Sequence, residues 1–256
     1  MAYKIMVLRA PGTNCDRETA MCVEAQGLDV EIVHVKQLMD GKTGFKNFDG
    51  LVIPGGFSFG DHVRAGALLG KILKESFGPE LKDFSAAGKP ILGICNGFQV
   101  LVECGLLPGE NERSALTTNL SSKFECRWVD LKVESSKCIF TEDMEGVIKL
   151  PVAHGEGRFL VSNAELDTLN AQGQVVFRYS DAEGNASGGS YPNNPNGAIE
   201  DIAGVCNQAG NVFGLMPHPE RAFYRFMHPR WTKNSGSDTF GDGHMLFKNM
   251  AEYIMR

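Results

Sequence analysis

The stretch from Pro90 to Val102, Pro-Ile-Leu-Gly-Ile-Cys-Asn-Gly-Phe-Gln-Val-Leu-Val, constrains the fold of this chain more than any other. Ile91–Ile94 is a short apolar run that suits a buried parallel strand, and Phe98, Leu101 and Val102 recur at helical spacing. Cys95 lies between the two patterns. Gly93 and Gly97 flank it two places away on either side, so the backbone can turn sharply there without a clashing side chain. A strand that ends in such a turn and passes straight into a helix has the form of a nucleophile elbow. The positive end of the helix favours the thiolate over the thiol. A buried, inert core thiol would account for Cys95 taken alone. The flanking glycines, and the partners found farther along the chain, turn the reading toward a nucleophile.

Strands and helices alternate around this turn. Lys4–Leu8 reads as a strand, Asp16–Gln26 as a helix stopped by Gly27, and Asp29–Val35 and Asp49–Pro54 as two further strands. A helix from about His62 to Phe77 precedes the strand that carries Cys95. Beyond residue 105 the pattern grows richer in strands: Lys123–Val133, Val147–Leu150, Arg158–Val161, Val175–Tyr179, then a hairpin of Ile202–Asn207 with Val212–Met216. In Lys123–Val133 the apolar positions shift from even to odd numbers, which predicts a β-bulge. Asp181–Asn196 reads as a surface loop and His244–Met255 as a last amphipathic helix. The order predicts an α/β fold: a flavodoxin-like, doubly wound, mostly parallel sheet with helices on both faces, antiparallel β additions in the C-terminal half, and Cys95 at the carboxyl end of a central strand. With no linker-like tract and no internal repeat, residues 1–256 are expected to form a single domain.

Charge and cysteine usage exclude several function classes. Acidic residues outnumber Lys and Arg by 31 to 25 and no basic block occurs, which argues against nucleic acid as a partner. No apolar run reaches ~18 residues, and Met-Ala-Tyr-Lys-Ile-Met-Val leads directly into a strand without a secretory leader, so a cytoplasmic protein with no membrane contact is expected. The seven cysteines are odd in number and lack paired CxxC spacing, and they read as reduced thiols with no metal site.

A thiolate nucleophile needs a base, and the base needs a group that fixes its tautomer. Met216-Pro217-His218-Pro219-Glu220-Arg221 offers both. Proline after His218 biases it toward an extended backbone, where residues two apart share a side, so His218 and Glu220 are expected to bond directly. Gly55-Gly56-Phe57, at the end of a strand, can point main-chain N–H groups toward an oxyanion, and the amide of Asn96 is a natural second donor. Together these parts describe a cysteine acyl-transfer site.

The chain resembles the triad-type glutamine amidotransferases, through Gly-Ile-Cys-Asn-Gly-Phe-Gln at 93–99, Pro-His-Pro-Glu-Arg at 217–221 and Pro-Gly-Gly at 54–56. Among them it is most similar to the glutaminase subunits of phosphoribosylformylglycinamidine synthases. That likeness runs through most of the chain and is carried by Gly-Thr-Asn-Cys-Asp at 12–16, Gly-Gly-Phe-Ser-Phe-Gly-Asp at 55–61, Ala-His-Gly-Glu-Gly at 153–157, Asn-Pro-Asn-Gly at 194–197 and Ile-Ala-Gly-Val at 202–205. The resemblance implies hydrolysis of L-glutamine to glutamate and ammonia through a Cys95 glutamyl thioester. The ammonia would serve a partner synthetase in the ATP-dependent conversion of formylglycinamide ribonucleotide to formylglycinamidine ribonucleotide, in purine biosynthesis.

By the same resemblance Cys95, His218 and Glu220 carry the triad roles, Gln99 and His154-Gly155 help to hold glutamine, and Asn96 with Gly56 and Phe57 shapes the oxyanion site, with Gly55 beside them. The implied partners are the synthetase subunit and a small accessory subunit. ATP and magnesium are expected on the synthetase and no cofactor on this chain, which has no Gly-x-x-x-x-Gly-Lys-Ser/Thr loop. Ala222–Gly243, with Phe223, Tyr224, Phe226 and Trp231 among basic residues, departs from the compact subunits and reads either as a partner-facing surface or as a loop packed on its own core. Two alternatives stand beside the leading reading: another triad-type amidotransferase or a γ-glutamyl hydrolase, and a non-catalytic flavodoxin-like binding module.

Overall fold

The structure is a computed structural model that describes residues 3–109, 113–233 and 239–256. Its N-terminal half alternates strand and helix: β1 (Lys4–Arg9), α1 (Asp16–Glu24), β2 (Asp29–His34), α2 (Val35–Met39), β3 (Gly50–Ile53), α3 (Ala67–Ala86), β4 (Ile91–Ile94) and α4 (Asn96–Glu103). The four strands pair in parallel in the order β2-β1-β3-β4. Ile5–Leu8, Leu51–Ile53 and Ile91–Ile94 are buried, as strands covered on both faces must be, and for that reason they read as unbroken apolar runs. The short α2 was not anticipated. The His34 ring caps it, accepting from the Lys36 N–H at 3.1 Å, while the Gln37 side chain accepts from the His34 N–H at 2.8 Å. α3 starts later than the expected His62, because Phe59, Gly60, Asp61 and Gly66 all have positive φ. It also runs past Phe77 to Ala86, tolerating Pro79 on an exposed face where the carbonyl left without a partner can meet water.

The second half contributes β5 (Ser114–Thr117), β6 (Glu125–Val133), β7 (Val147–His154), β8 (Arg158–Val161), α5 (Asn163–Ala171), β9 (Val175–Ser180), β10 (Ile202–Cys206), β11 (Val212–Leu215) and α6 (His244–Met255). β11 pairs in parallel with β4, and β10, β9, β6 and β7 then extend the sheet antiparallel, so that the described residues form a nine-stranded sheet in the order β2-β1-β3-β4-β11-β10-β9-β6-β7. The parallel part has the strand order of a flavodoxin-like doubly wound sheet. α1 packs with α6, and α3 with α4. The architecture is the α/β fold that the alternation of strands and helices implies.

Three details differ from expectation. β6 and β7 pair without a shift from Glu125↔His154 to Lys132↔Val147, so no bulge is present there. The change of phase arises because Phe124 and Cys126 are exposed apolar residues and Trp128 is covered edge-on by His228, 4.8 Å between ring centroids. Irregular pairing occurs instead between β9 and β10, around Gly204. β8 does not join the main sheet; it pairs with the unanticipated β5 in a separate two-stranded sheet. α5 was also missed, although Ser162 and Glu165 form a reciprocal capping box at its start. Within Ala222–Gly243 the packed reading holds for one end: Ala222 and Phe223 are buried, with Phe223 edge-on to Phe247 at 5.8 Å, whereas Phe226 and Trp231 are exposed. Residues 234–238 of that segment lie outside the described residues.

The register of β4 and β11 places the chain's chemistry. The two strands stay in step to Ile94↔Leu215, and the Cys95 N–H continues the ladder to the Leu215 carbonyl at 2.8 Å. Both strands therefore leave the sheet at the same end, one into Cys95 and the other into Met216-Pro217-His218. α4 can lie close to the strand ends because Gly97 has no side chain: a Cβ there would sit 1.8 Å from the Ile53 carbonyl oxygen. Gly97→Ala is accordingly expected to destabilise the protein by about 2 kcal/mol, through forced displacement of α4. Urea unfolding of variant and parent checks this; equal midpoints would contradict it.

Candidate active site

Cys95 is held in a strained backbone, φ 50° and ψ −104°, between the last residue of β4 and the first of α4. Its N–H is fixed by Leu215, and its carbonyl accepts from the Gln99 N–H at 3.1 Å, so strand and helix together impose the turn. The side chain is 5 % exposed, and its Sγ lies 3.7 Å from the Ala153 carbonyl of β7. The Asn96 N–H, at the start of α4, points out of the helix end with no intrahelical acceptor.

His218 comes to the same place from β11. The Met216 N–H donates to Ala203 at 3.0 Å, and the His218 N–H to the Pro151 carbonyl of β7 at 2.8 Å. β7, last in the sheet order, thus curls back over the ends of β4 and β11. His218 has the extended backbone that a following proline favours, φ −106° and ψ 92°. Glu220, however, lies in a 3₁₀ turn, Pro219–Ala222, so the two side chains meet across a bend and not along an extended strand. Their contact is close: His218 Nδ1 to Glu220 Oε1 is 2.6 Å, with both residues buried. Burial opposes a charged imidazole here, but the Glu220 carboxylate, then the Cys95 sulfur, outweigh it and hold the His218 pKa well above its ordinary value. With Nδ1 occupied by Glu220, His218 Nε2 is buried and has no partner among the described residues. Gly55 makes room for the ring, since a Cβ there would lie 2.7 Å from His218 Cε1.

A cavity of about 140 Å³ opens beside Cys95, between Gly56-Phe57 on one side and Gln99 with Ala153–Glu156 on the other. Gly56 has φ 145°, and a Cβ on it would run into the backbone of Gly12–Asn14. The Phe57 N–H, expected to face an oxyanion, is engaged within the protein: it donates to the Gly12 carbonyl at 2.9 Å. The N–H groups of Gly56 and Asn96 remain without acceptors among the described residues. The Phe57 ring is half-exposed at the cavity mouth and stacks on Phe124 at 6.4 Å. Gln99 lines the cavity but its amide is engaged within the protein, donating to the Glu156 carbonyl and accepting from Asn96 Nδ2 at 3.0 Å. Asn96 in turn accepts from the Ser58 N–H at 3.2 Å.

His154 is buried against the same cavity, and burial, then the charge of His218, lowers its pKa to about 3. Asn119 Oδ1 lies 3.1 Å from His154 Nδ1 and accepts from the Gly157 N–H at 2.9 Å, while its Nδ2 donates to the His154 carbonyl at 2.8 Å. An accepting oxygen at Nδ1 places the ring proton there and leaves Nε2 unprotonated. Gly155 closes the loop by accepting from the Asn119 N–H at 2.9 Å. Asn119 sits in Thr-Thr-Asn-Leu, with no motif to announce it. Cys15 was also unassigned: its sulfur accepts from Arg221 Nη2 at 3.0 Å, close to His218 and Glu220. A larger hollow of about 540 Å³, lined by Lys74, Pro79, Asp83 and Cys104, brings no histidine to its thiol, which burial pushes up to about 12.

Residues 2–254 match the profile of the CobB/CobQ-like glutamine amidotransferase domain. The chain belongs to this family. It is 43% identical to phosphoribosylformylglycinamidine synthase subunit PurQ of Archaeoglobus fulgidus, over 98% of this chain and 97% of that one. Against subunit PurQ of Treponema denticola the identity is 45%, over 86% and 88%. The structure of PurLQS from Thermotoga maritima matches with a TM-score of 0.75 at 35% identity, covering 99% of both chains.

In this amidotransferase the two buried histidines respond to pH in opposite senses. His154 titrates at about 3 in the folded chain against 6.5 ordinarily, so unfolding takes up a proton between those values and stability falls as pH drops from about 6.5 toward 3. His218 is shifted upward, so its contribution is present below the ordinary histidine range and is lost as pH rises through its folded value. His154→Gln is expected to remove roughly 3 kcal/mol of the stability loss between pH 7 and pH 4. Denaturant unfolding of variant and parent at the two pH values measures this, and an unchanged difference would refute the assignment.

Proposed function

We propose that this chain is the glutamine-hydrolysing subunit of a phosphoribosylformylglycinamidine synthase, acting in the cytoplasm as one amidotransferase domain over residues 1–256. The observation that carries the reading is the buried His218–Glu220 pair, whose free Nε2 shares one end of the sheet with the strained Cys95. Relatives named as subunit PurQ, 43% and 45% identical to this chain, supply the acceptor chemistry that the site alone does not specify.

In this reading His218 Nε2 takes the Cys95 proton, and Glu220 stabilises the imidazolium and holds Nδ1 protonated. The thiolate attacks the carboxamide carbon of glutamine, and the oxyanion receives hydrogen bonds from the N–H groups of Gly56 and Asn96. His218 returns its proton to the leaving nitrogen, ammonia departs, and a glutamyl thioester remains on Cys95. Water, deprotonated by the same histidine, then releases glutamate and regenerates the thiol. Gln99 acts by bracing Asn96 and the Glu156 carbonyl, and His154 and Gly155 form the facing wall. The synthetase subunit and a small accessory subunit are the partners, by likeness to PurLQS; in this reading ATP and magnesium are assigned to the synthetase, since this chain has no Gly-x-x-x-x-Gly-Lys-Ser/Thr loop.

Cys95→Ala in the assembled complex is expected to abolish glutamine-dependent synthesis and leave ammonia-dependent synthesis intact. Glu220→Gln is expected to lower glutamine hydrolysis by about 10²–10⁴-fold, because the imidazole loses its tautomer and its counter-charge. Steady-state assays with each nitrogen source decide the matter. Loss of both activities in Cys95→Ala, or rapid hydrolysis of γ-glutamyl peptides without the synthetase, would overturn the reading.

A further inference from the structure

Cys15 has no part in the hydrolytic steps, yet it belongs to a closed cluster of donors. Its Sγ, a ring nitrogen of His218 and a carboxylate oxygen of Glu220 all lie within 4.8 Å of one another, and all three residues are buried. The ring nitrogen on this flank is Nδ1. A Cβ built on Gly55 would stand 3.3 Å from His218 Nδ1 and 3.2 Å from Cys15 Sγ, so both atoms pack against the bare face of this glycine. The remaining carboxylate oxygen, Glu220 Oε2, is buried and without a hydrogen-bond partner among the described residues. The cluster therefore gathers a soft sulfur, an imidazole and an oxygen with spare acceptor capacity within 4.8 Å of one another. Such a set suits zinc and its heavier analogue cadmium, whereas magnesium and calcium prefer oxygen alone.

We propose that Cys15, His218 Nδ1 and Glu220 form a binding site for a single thiophilic divalent ion, zinc or cadmium, whose occupancy blocks glutamine hydrolysis. On binding, Cys15 releases its thiol proton to solvent, and the ion replaces the proton shared between His218 Nδ1 and Glu220. Those two atoms, now 2.6 Å apart, would open to roughly 3.5 Å to accept bonds of about 2.0–2.1 Å each. A metallated Nδ1 leaves the imidazole proton on Nε2, the wrong tautomer to accept a proton from Cys95. The block thus acts through the histidine and does not require the nucleophile as a ligand. Arg221, donating to Cys15 Sγ at 3.0 Å, favours the thiolate but repels a dication, and the Glu18 carboxylate at 3.9 Å from its guanidinium offsets part of that charge. The sequence expectation of no metal rested on the lack of paired cysteine spacing; these ligands are brought together from residues 15, 218 and 220.

The test is a cadmium titration of the full chain, followed by thiolate-to-cadmium charge-transfer absorption, in a Cys126→Ser background that removes the exposed thiol. One tight equivalent is expected in this background and, unchanged, in Cys95→Ala. Cys15→Ala, Cys15→Ser and His218→Ala are each expected to weaken that step at least tenfold, with circular dichroism verifying their fold. Retention of the tight step in both Cys15 variants would overturn the proposal by placing the ion elsewhere, and its loss in Cys95→Ala would overturn it by placing the ion on the nucleophile. A second arm rests on the proposed function: in the assembled complex zinc should suppress glutamine-dependent synthesis, spare ammonia-dependent synthesis and be reversed by chelation. Cys15→Ser should raise the half-inhibitory zinc concentration at least tenfold, each variant measured against its own metal-free rate. Tight binding with no inhibition of an active complex would overturn the block. An inactive metal-free complex that still binds cadmium would overturn the functional reading and leave the metal site standing.

Discussion

The parallel pairing of β4 with β11 is the constraint on which the rest of the site depends. Cys95 and His218 are separated by more than a hundred residues, yet the in-step ladder from Val212↔Ile91 to Leu215↔Ile94 brings both strands to their ends together. One-residue slippage would exchange the two faces of β11 and turn its buried side chains away from their neighbours. Val212, Phe213 and Leu215 are all fully buried, so the apolar core holds the register that the chemistry needs. The geometry of the proposed site is in this sense a by-product of sheet packing, with Gly93, Gly97 and Gly214 letting α4 and its Phe98 approach the strands closely.

Around that junction the protein places charge where solvent cannot screen it. A buried carboxylate beside a buried imidazole is costly unless each satisfies the other, and the 2.6 Å contact between Glu220 and His218 does so. His154, on the curled edge strand, is kept neutral by burial and by the neighbouring positive charge of His218. One histidine is poised to carry a proton and the other is kept from carrying one. Asn119 organises the second, by engaging the ring, the carbonyl of His154 and the N–H of Gly157 at once.

Much of this was legible in the sequence. The elbow around Cys95 could be recognised because a buried parallel strand, two glycines and a helical apolar pattern are each local signals within a dozen residues. Pro219 likewise announced the extended backbone at His218. Several of the misreadings share one physical cause: local pattern reports which residues are apolar, not which surface covers them. Phe124 and Cys126 mimicked an inward-facing phase, and so suggested a bulge in a strand that pairs regularly. The hydrogen bond of the Phe57 amide was hidden for a related reason, because its acceptor, Gly12, lies in a different loop.

The sequence by itself determined the alternation of strands and helices, the doubly wound sheet it produces, and the candidates proposed as nucleophile, base and orienting acid. Those follow from periodicity, turn stereochemistry and side-chain chemistry, all properties of short segments. Only the tertiary structure decided that β7 curls over the strand ends, that His218 meets Glu220 across a 3₁₀ turn, and that Cys15 and Asn119 stand within reach of the two histidines. Such contacts depend on long-range hydrogen bonds and on the space left by Gly55, and no local segment carries that information.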